Sequence, residues 1–249
     1  MENNVKTVFI TGGASGMGLL LGQCYAKEGK NVVLTDVNQD ALDARVREIK
    51  EYHENVIGVV ADVRSYEQVC AARDQAVEHF GSIDILINCA GGAELRLKGV
   101  SGEFFEVPID VYDFGIDLNL KGVLYCDHAV MKQMAKQNGG VIVHLGSIAG
   151  SEGCPGNIAY SASKSAQMDG MTKSIAMAGE KYNVRAVCIA PGPVLTRPGM
   201  AGMKTMLGRA ADPQEIVDMI MYAASEKCAF LNGVTVLMDG GRNAMRNKG

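Results

Sequence analysis

The side chains best suited to chemistry are Tyr160 and Lys164, which stand four residues apart in the segment YSASK. Residues i and i+4 share one face of an α-helix, so a phenol and an ammonium at this spacing can meet on one substrate. A free tyrosine titrates near ~10, and a neighbouring positive charge lowers the pKa of the phenol because it stabilises the phenolate. Lys164 is the expected source of that charge. With Ser147 at the end of the apolar run VIVHLGS, this pair predicts an oxidoreductase site.

A glycine-rich segment, TGGASGMG at 11–18, follows the apolar run KTVFIT. Gly12, Gly16 and Gly18 would let the backbone turn tightly and approach a pyrophosphate at the N-terminus of the next helix. Taken alone, such a segment is equally consistent with an ordinary tight connection between a strand and a helix. Its context favours a dinucleotide cradle.

Asp36 supplies that context, since it ends the second predicted strand 18 residues after Gly18. A carboxylate about 20 residues beyond the glycines accepts hydrogen bonds from an adenosine ribose. The alternative role, capping the following helix, is better served by Asn38 and Asp40. A carboxylate here repels a 2′-phosphate, and neither the glycine segment nor Val37 offers a cation to bind one. The sequence therefore predicts NAD rather than NADP as cofactor.

Alternating strands and helices must position these residues. Short runs rich in Val and Ile predict strands at 5–11, 32–36, 56–62, 84–88, 141–147, 185–190 and 234–238. Helices are expected at about 16–29, 39–53, 66–80, 110–137, 155–181 and 213–225, the last capped by Asp212. The strands lack apolar/polar alternation, which indicates burial on both faces. The pattern predicts an α/β protein with a single-domain, doubly wound (Rossmann) fold, a seven-stranded parallel sheet and helices on both faces.

Loops at the carboxyl ends of parallel strands form the ligand crevice of such a sheet. The segments 89–109, 148–157 and 191–211 are expected there. Within the last of these, Gly, Pro and Met residues at about 193–211 suit a mobile apolar lid over the substrate.

Composition limits the remaining possibilities. The 249 residues are 47% hydrophobic and show no linker or repeat, so one domain spanning 1–249 is expected. A net charge of −4 without a Lys/Arg block disfavours nucleic acid as a partner. The N-terminal segment lacks the features of a signal peptide and no run has the apolar length of a membrane span, so a cytoplasmic protein is expected. Seven scattered cysteines and four histidines show no metal-ligand spacing, and no metal is expected.

These motifs, in this order, resemble those of the short-chain dehydrogenase/reductase family over essentially the whole chain. Residues 11–18 are similar to the family's TGxxxGxG, residues 88–91 (NCAG) to its NAG turn, and Tyr160 with Lys164 to its YxxxK. Asn119 matches the family's helical Asn and Ser147 its catalytic Ser, and Pro191-Gly192 its PG turn.

The resemblance implies a role for each catalytic residue. Tyr160 would give a proton to a carbonyl or take one from an alcohol, while Lys164 would lower its pKa and bind the nicotinamide ribose. Ser147 would hydrogen-bond to the substrate oxygen. Asn119 would hold a water that links Lys164 to solvent. Each residue alone also has an ordinary structural role open to it, such as a turn cap or a solvated helix position.

The resemblance further implies contacts with NAD. The expected residues are Gly12, Ser15, Gly16, Met17, Gly18, Asp36, Val37, Asp62, Val63, Asn88, Ala90, Gly91, Tyr160, Lys164, Pro191, Gly192, Val194 and Thr196. It also implies a homotetramer or a homodimer built on the predicted helices at 110–137 and 155–181. Cys89 departs from the family's usual residue in its turn, and it could make the site sensitive to thiol oxidation.

The main functional hypothesis is hydride transfer between NAD(H) and a secondary alcohol or its ketone, on a small molecule such as a polyol, a sugar acid or a hydroxylated ring. A 3-oxoacyl-thioester reductase is an alternative, although those reductases usually use NADPH. A sugar-nucleotide epimerase is disfavoured because Leu19 stands where a third glycine would fall in GxxGxxG. A non-catalytic NAD(H)-binding regulator also stays open.

Basic residues near the crevice could recognise an anionic substrate or simply solvate the loops. They are Arg96, Lys98, Arg197, Lys204 and Arg209. Apolar residues in the predicted lid favour a ring or an acyl chain instead. They are Met200, Met203, Met206 and Leu207.

Overall fold

One parallel sheet organises the protein, whose computed structural model describes residues 5–246; residues 1–4 and 247–249 of the predicted domain lie outside the described residues. The seven strands are β1 (Thr7–Thr11), β2 (Asn31–Asp36), β3 (Val56–Val60), β4 (Ile85–Asn88), β5 (Gly140–Leu145), β6 (Val184–Pro191) and β7 (Val234–Met238). Their spatial order is β3-β2-β1-β4-β5-β6-β7, and every neighbouring pair is parallel. The predicted doubly wound α/β fold is confirmed.

Ten α-helices accompany the strands in the described part of the chain. They are α1 (Gly16–Lys27), α2 (Gln39–Lys50), α3 (Tyr66–Phe80), α4 (Glu94–Lys98), α5 (Ile109–Ile116), α6 (Gly122–Gln137), α7 (Ala149–Glu152), α8 (Ile158–Ala166), α9 (Thr172–Gly179) and α10 (Pro213–Ala224). Short 3₁₀ turns lie at Glu180–Tyr182, Pro198–Gly202, Glu226–Cys228 and Arg242–Ala244. Within residues 5–246, no helix combines the length and the apolar character that crossing a membrane requires.

The two longest predicted helices differ from expectation in their interior. A π-helical turn, Asp117–Lys121, joins α5 to α6, and another, Gln167–Met171, joins α8 to α9. The helix predicted at 155–181 also begins later than expected, at Ile158. The short helices α4 and α7 were not predicted because five and four residues are too few to show a helical period.

Packing on both faces explains why the strands lack alternation. Val8 and Ile10 of β1 pack on one face against α1, α2 and α10, while Phe9 between them packs on the other against α3, α6 and α9. Successive strand residues point to opposite faces, so a sheet covered on both sides needs apolar residues at every position.

The strand order reverses between β1 and β4. In doubly wound sheets the connections from such neighbours run to opposite sides, and this leaves a crevice at the carboxyl ends of the strands. The β1–α1 connection and the loop after β4 therefore border one crevice, joined by the loops after β5 and β6.

A capping box begins α10, as the sequence predicted for Asp212. The Asp212 carboxylate accepts a hydrogen bond from the Gln214 amide (2.8 Å), and the Glu215 carboxylate accepts one from the Asp212 amide (2.9 Å). Two amides at the helix start are thereby satisfied.

Replacing Asp212 by Ala is expected to lower the free energy of unfolding by about 1 kcal/mol, because one capping acceptor is lost. Urea unfolding followed by circular dichroism would measure this. Asp218→Ala, which removes an exposed carboxylate from the same helix, is the matched control. Equal midpoints for the two variants would show that the cap contributes nothing.

Candidate active site

The connection from β1 to α1 has the shape of a phosphate cradle. Gly12 and Gly16 have φ angles of +68° and +55°, which side chains rarely tolerate. A Cβ on Gly18 would lie 2.2 Å from the Gly12 carbonyl oxygen. Ser15 precedes α1 without capping it through its side chain, so the first-turn amides stay available to an anion. The residues present therefore fit a dinucleotide pyrophosphate.

Asp36 is held at the edge of the same crevice by two backbone amides. Its Oδ2 accepts a hydrogen bond from the Ala14 amide (3.1 Å), and its Oδ1 accepts one from the Asn38 amide (3.1 Å). Asn38 caps α2 by accepting from the Ala41 amide (3.0 Å), as the sequence indicated. Asp36 is thus oriented toward the crevice, with lone pairs left for a ligand.

A cleft of about 970 Å³ brings the predicted cofactor and catalytic residues together. Those that line it are Gly12, Ser15, Gly16, Met17, Gly18, Asp36, Val37, Asp62, Val63, Ala90, Gly91, Ser147, Tyr160, Lys164, Pro191, Gly192, Val194 and Thr196. Asn88 and Asn119 do not line it and are almost fully buried. Direct contact of these two side chains with a ligand in the cleft is therefore not what the structure favours.

Asn88 instead begins a buried polar chain behind the cleft. Its Nδ2 donates to Asp127 Oδ1 (2.8 Å), and Asp127 Oδ2 hydrogen-bonds with His144 Nε2 (2.9 Å). His144 Nδ1 then hydrogen-bonds with Thr172 Oγ1 (2.8 Å), which donates to the Gln167 carbonyl oxygen (2.5 Å). His144 is thus a satisfied core residue, as predicted, and the chain joins β4, β5, α6 and α9.

Tyr160 and Ser147 form the part of the site able to transfer a proton. Tyr160 is the third residue of α8, and its side chain lines the cleft together with Ser147, which follows β5. Burial raises the pKa of Tyr160, while the Ser147 hydroxyl and the nearby Arg197 and Arg96 guanidinium groups oppose that rise. In this structure, the net shift is therefore upward.

Lys164 was expected to place its ammonium beside the Tyr160 phenol, but in the structure the ammonium is directed elsewhere. Its Nζ lies 5.7 Å from the centre of the Tyr160 ring and donates to the Leu145 carbonyl oxygen (2.5 Å) and Gln167 Oε1 (3.3 Å). Burial lowers the pKa of Lys164 to about 8. The cations that act on the phenol of Tyr160 here are the two arginines, because the ammonium is directed toward acceptors behind the ring.

Asn119 and Gln167 meet behind Lys164, each in one of the two π-helical turns. The Asn119 side chain hydrogen-bonds to backbone groups. Its Oδ1 accepts from the Gly92 amide (2.8 Å), and its Nδ2 donates to the carbonyl oxygens of Gly92 (3.0 Å) and Gly115 (2.9 Å). The Asn119 carbonyl oxygen accepts a hydrogen bond from Gln167 Nε2. The Gln167 amide thus joins the Asn119 carbonyl oxygen to the Lys164 ammonium. The water expected to link Lys164 to solvent through Asn119 stays a prediction.

Sequence reasoning missed Gln167, although a signal existed. It lies three residues after Lys164 and so on the same helix face, where a fully buried amide needs partners. Such a residue beside the Lys164 ammonium was a candidate to solvate it.

Glu94 is a second residue that the sequence did not reveal. This fully buried carboxylate accepts hydrogen bonds from the amides of Ala159 (2.9 Å) and Tyr160 (3.0 Å) at the start of α8. Asn157, which precedes α8, makes no side-chain cap. Glu94 thus caps the tyrosine-bearing helix from 65 residues away, a distance over which no local pattern signals a cap.

Backbone hydrogen bonds join the two ends of the predicted lid segment. The Ala211 amide donates to the Pro193 carbonyl oxygen (2.9 Å) and the Leu195 amide to that of Ala211 (2.9 Å). Met200 and Met203 line the cleft. Movement of this segment over a substrate stays a prediction.

Only two of the five predicted basic residues line the cleft. Arg96 and Arg197 do so, while Arg209 forms a bidentate ion pair with Glu215 (2.5 and 2.7 Å). Lys98 lies 4.7 Å from the centre of the Phe114 ring. The cationic rim is therefore narrower than the sequence indicated.

Cys89 is not set up as a reactive thiol. Burial raises its pKa to about 12, so almost none of it is thiolate near neutral pH. This disfavours the sensitivity to oxidation considered from the sequence. Among residues 5–246, no cluster of three or more His, Cys, Asp or Glu side chains could hold a metal ion.

Comparison with known proteins identifies the family of this chain. The sequence profile described as "short chain dehydrogenase" matches residues 6–205. The chain belongs to the short-chain dehydrogenase family. The dehydrogenase is accordingly an oxidoreductase, and the expectation drawn from its motifs is confirmed.

Relatives of this short-chain dehydrogenase cover nearly its whole length. It is 36% identical to the trans-4-hydroxycyclohexanecarboxylate dehydrogenase of Sinomonas cyclohexanicum, covering 97% of this chain and 94% of that one. It is 35% identical to the 2-dehydro-3-deoxy-L-rhamnonate dehydrogenase (NAD(+)) of Sphingomonas sp. strain SKA58, covering 95% of each. It is 32% identical to the 3-oxoacyl-[acyl-carrier-protein] reductase FabG of Thermotoga maritima, covering 95% of this chain and 97% of that one.

A solved structure agrees with the fold of the dehydrogenase. The crystal structure of a short chain dehydrogenase from Bacillus anthracis superimposes with a TM-score of 0.88 at 32% identity, covering 97% of this chain and 98% of that one. The sheet and crevice described above are thus those of the family.

Glu94→Ala is expected to lower the free energy of unfolding by about 2 kcal/mol, because two amides of α8 lose a buried acceptor. The turnover number should fall as well, since Tyr160 is the residue whose amide is released. Urea unfolding and steady-state kinetics would measure the two effects.

Glu103→Ala removes an exposed carboxylate from the same loop and serves as the control. Glu94→Gln, which keeps one acceptor oxygen, should lie between the wild type and the alanine variant. If Glu94→Ala matches Glu103→Ala in both measurements, Glu94 does not hold the helix.

Proposed function

We propose that the protein is an NAD-dependent dehydrogenase that interconverts a secondary alcohol and its ketone. The observation that carries the proposal is the placement of Ser147 and Tyr160 in one cleft with the glycine cradle and Asp36. A phenol poised for proton transfer beside a dinucleotide cradle supports hydride transfer at a carbon that bears oxygen.

Tyr160 supplies the acid and the base. Its hydroxyl donates a proton to the carbonyl oxygen in reduction, which leaves a phenolate, and in oxidation the phenolate accepts the proton of the alcohol. Ser147 hydrogen-bonds to the same oxygen and stabilises the charge that develops there. When bound, the nicotinamide cofactor supplies or accepts the hydride.

Lys164 works from behind the tyrosine ring. Its ammonium, held by Leu145 and Gln167, lines the same cleft and would bind a ribose hydroxyl of the cofactor. Gln167 keeps the ammonium in place and ties it to the Asn119 backbone.

Asp36 supports the choice of NAD. Its carboxylate borders the cleft, and Val37 beside it is 63% exposed and uncharged, so no cation there favours a 2′-phosphate. The Sphingomonas relative carries NAD(+) in its name, which agrees with this preference.

Asp36→Ala is expected to weaken NAD binding about tenfold, because hydrogen bonds that ribose hydroxyls donate to a charged acceptor contribute about 1.5 kcal/mol or more. The double variant Asp36→Ala/Val37→Arg should in addition gain NADP use. Titration of NADH and NADPH by fluorescence would measure both changes.

The control is Asp40→Ala, an exposed carboxylate on α2 outside the cleft. Tighter binding of NADPH than of NADH by the wild-type protein would contradict the preference.

The substrate class is supported by the names of two related dehydrogenases. One name contains a hydroxylated ring acid and the other a deoxy sugar acid. Both fit the ring and sugar-acid classes expected from the sequence. The FabG relative supports the alternative of a 3-oxoacyl-thioester reductase, and the side chains of Met200 and Met203 in the cleft are compatible with an acyl chain. Asp36 argues against this alternative, because such reductases usually use NADPH.

Tyr160→Phe is expected to lower kcat by about 10²- to 10⁴-fold, the usual contribution of a positioned acid or base, with little change in NADH affinity. The assay is NADH formation on a panel of polyols, sugar acids, hydroxycyclohexanecarboxylates and 3-hydroxyacyl thioesters. Tyr222→Phe makes the same change on an exposed tyrosine of α10 and is the control.

A wild-type protein that binds NADH but turns over nothing in this panel would favour the non-catalytic regulator. A Tyr160→Phe variant that keeps full turnover would contradict the mechanism.

We further propose a cytoplasmic homotetramer or homodimer, which the family resemblance supports. Light scattering would give the oligomeric state. The exposed Leu124 on α6 and Met177 on α9 are compatible with contacts through these helices.

A further inference from the structure

We infer that the substrate is an anion, bound through its carboxylate or phosphate oxygens by the guanidinium groups of Arg96 and Arg197. The inference rests on the proposed dehydrogenase function and narrows its substrate class. Neutral polyols and unsubstituted ring alcohols would then be poor substrates.

The two arginines come from different segments and meet at the same end of the cleft. Arg96 lies on α4 in the loop after β4, and Arg197 precedes the 3₁₀ turn of the predicted lid. Both line the cleft, and both charges act on the Tyr160 hydroxyl. They therefore lie at the catalytic end, where the substrate must sit.

Neither side chain has an acidic partner among the residues that the structure describes. Within residues 5–246, the Arg197 guanidinium makes its polar contact with Met200 Sδ (3.7 Å), a weak acceptor. Arg64, which also lines the cleft, is paired with Asp62 (2.6 Å), and Arg242 is paired with Glu152 (2.9 Å). Unlike that of Arg64, the guanidinium groups of Arg96 and Arg197 thus keep their donors available for a ligand.

Keeping two like charges close together costs free energy. Burial lowers the pKa of Arg96, and the charge of Arg197 lowers it further. An anion between them would replace repulsion by charge-assisted hydrogen bonds, which are the stronger kind and match the fork geometry of arginine. The arrangement is complementary to an anionic group rather than to a neutral one.

The acidic residue nearest along α4 does not neutralise the pair. Both oxygens of Glu94 accept hydrogen bonds from the amides of α8. The same contact fixes α4 to the tyrosine-bearing helix, so Arg96 is held in register with Tyr160. A Cβ on Gly92 would lie 2.8 Å from Arg96 Nη2, which shows that this side chain lies against the loop backbone.

The test compares anionic substrates with their neutral counterparts. A hydroxycyclohexanecarboxylate is paired with its methyl ester, a sugar acid with the matching polyol, and a sugar phosphate with the free sugar. The anions are expected to show kcat/KM values at least tenfold higher, from the usual strength of a charged hydrogen bond. Whether carboxylates or phosphates are preferred identifies which oxygens are bound.

Variants assign the effect to the two side chains. Arg96→Gln and Arg197→Gln should each raise KM for the anion about tenfold, and the double variant should raise it further than either, with a much smaller change for the neutral counterpart. Arg197→Lys, which keeps the charge, should recover part of the loss. Lys98→Gln, on the same short helix but placed over Phe114, is the control and should behave as the wild type.

A second readout does not depend on turnover. Cyclohexanecarboxylate, phosphate and cyclohexanecarboxamide are titrated into the NADH complex, and binding is followed by cofactor fluorescence. The carboxylate or phosphate should bind in competition with substrate, and the double arginine variant should lose this binding, whereas the carboxamide should bind weakly to both.

The outcomes separate the two proposals. Equal turnover of anions and neutral alcohols, unaffected by the arginine variants, would overturn this inference and leave the dehydrogenase function standing. Arginine variants that lose NADH affinity and are impaired equally on both substrate types would place the side chains in the cofactor site, which also overturns it. NADH binding without turnover of any member of the panel would overturn the proposed function itself.

Discussion

The buried ammonium of Lys164 is the constraint on which the catalytic end of the structure depends. A charge that is 4% exposed must be solvated by the protein, and the acceptors here are a carbonyl oxygen at the end of β5 and the amide of Gln167. Gln167 must then satisfy its own NH₂ group, and it does so on the Asn119 backbone. One charged side chain thereby fixes the relative positions of β5, α8 and the helix that carries Asn119. This arrangement also positions Tyr160, because Tyr160 lies one helical turn before Lys164 on α8.

The two π-helical turns are where this solvation is achieved. An α-helix engages the carbonyl oxygens of its interior, so a residue there rarely offers its backbone to another side chain. A π-turn widens the helix locally, and such turns occur frequently at functional sites. Asn119 and Gln167 each lie in one, and the contact between them joins the two longest helical stretches on one face of the sheet. The buried chain from Asn88 to Thr172 ends at the Gln167 carbonyl oxygen and ties the same turn to β4 and β5.

The sequence predicted well what depends on local pattern and poorly what depends on distant contacts. The seven strands, the glycine cradle and the Asp212 cap follow from periodicity and turn chemistry, which a few neighbouring residues determine. Glu94 could not be found in this way, since a carboxylate capping a helix 65 residues away leaves no local signal. The orientation of Lys164 was also beyond the sequence. The i, i+4 spacing places it on the face of Tyr160, but the acceptors that draw its ammonium behind the ring come from β5 and from Gln167.

The cleft combines a rigid half with an adjustable one, and this division explains how catalysis and specificity are separated. Ser147, Tyr160 and Lys164 are set by β5, α8 and the buried network, whose members lack freedom to move without exposing unsatisfied polar groups. The substrate end is built from short or irregular segments, α4 and the loop that contains Arg197, which touch that core at few points. Glu94 is one such point: it joins α4 to the first turn of α8, so a change in the proposed substrate loop should alter the hydrogen bond that the Tyr160 amide donates. Substitutions around Arg96 should therefore alter which substrate is accepted, whereas substitution at Glu94 should alter how well Tyr160 is held.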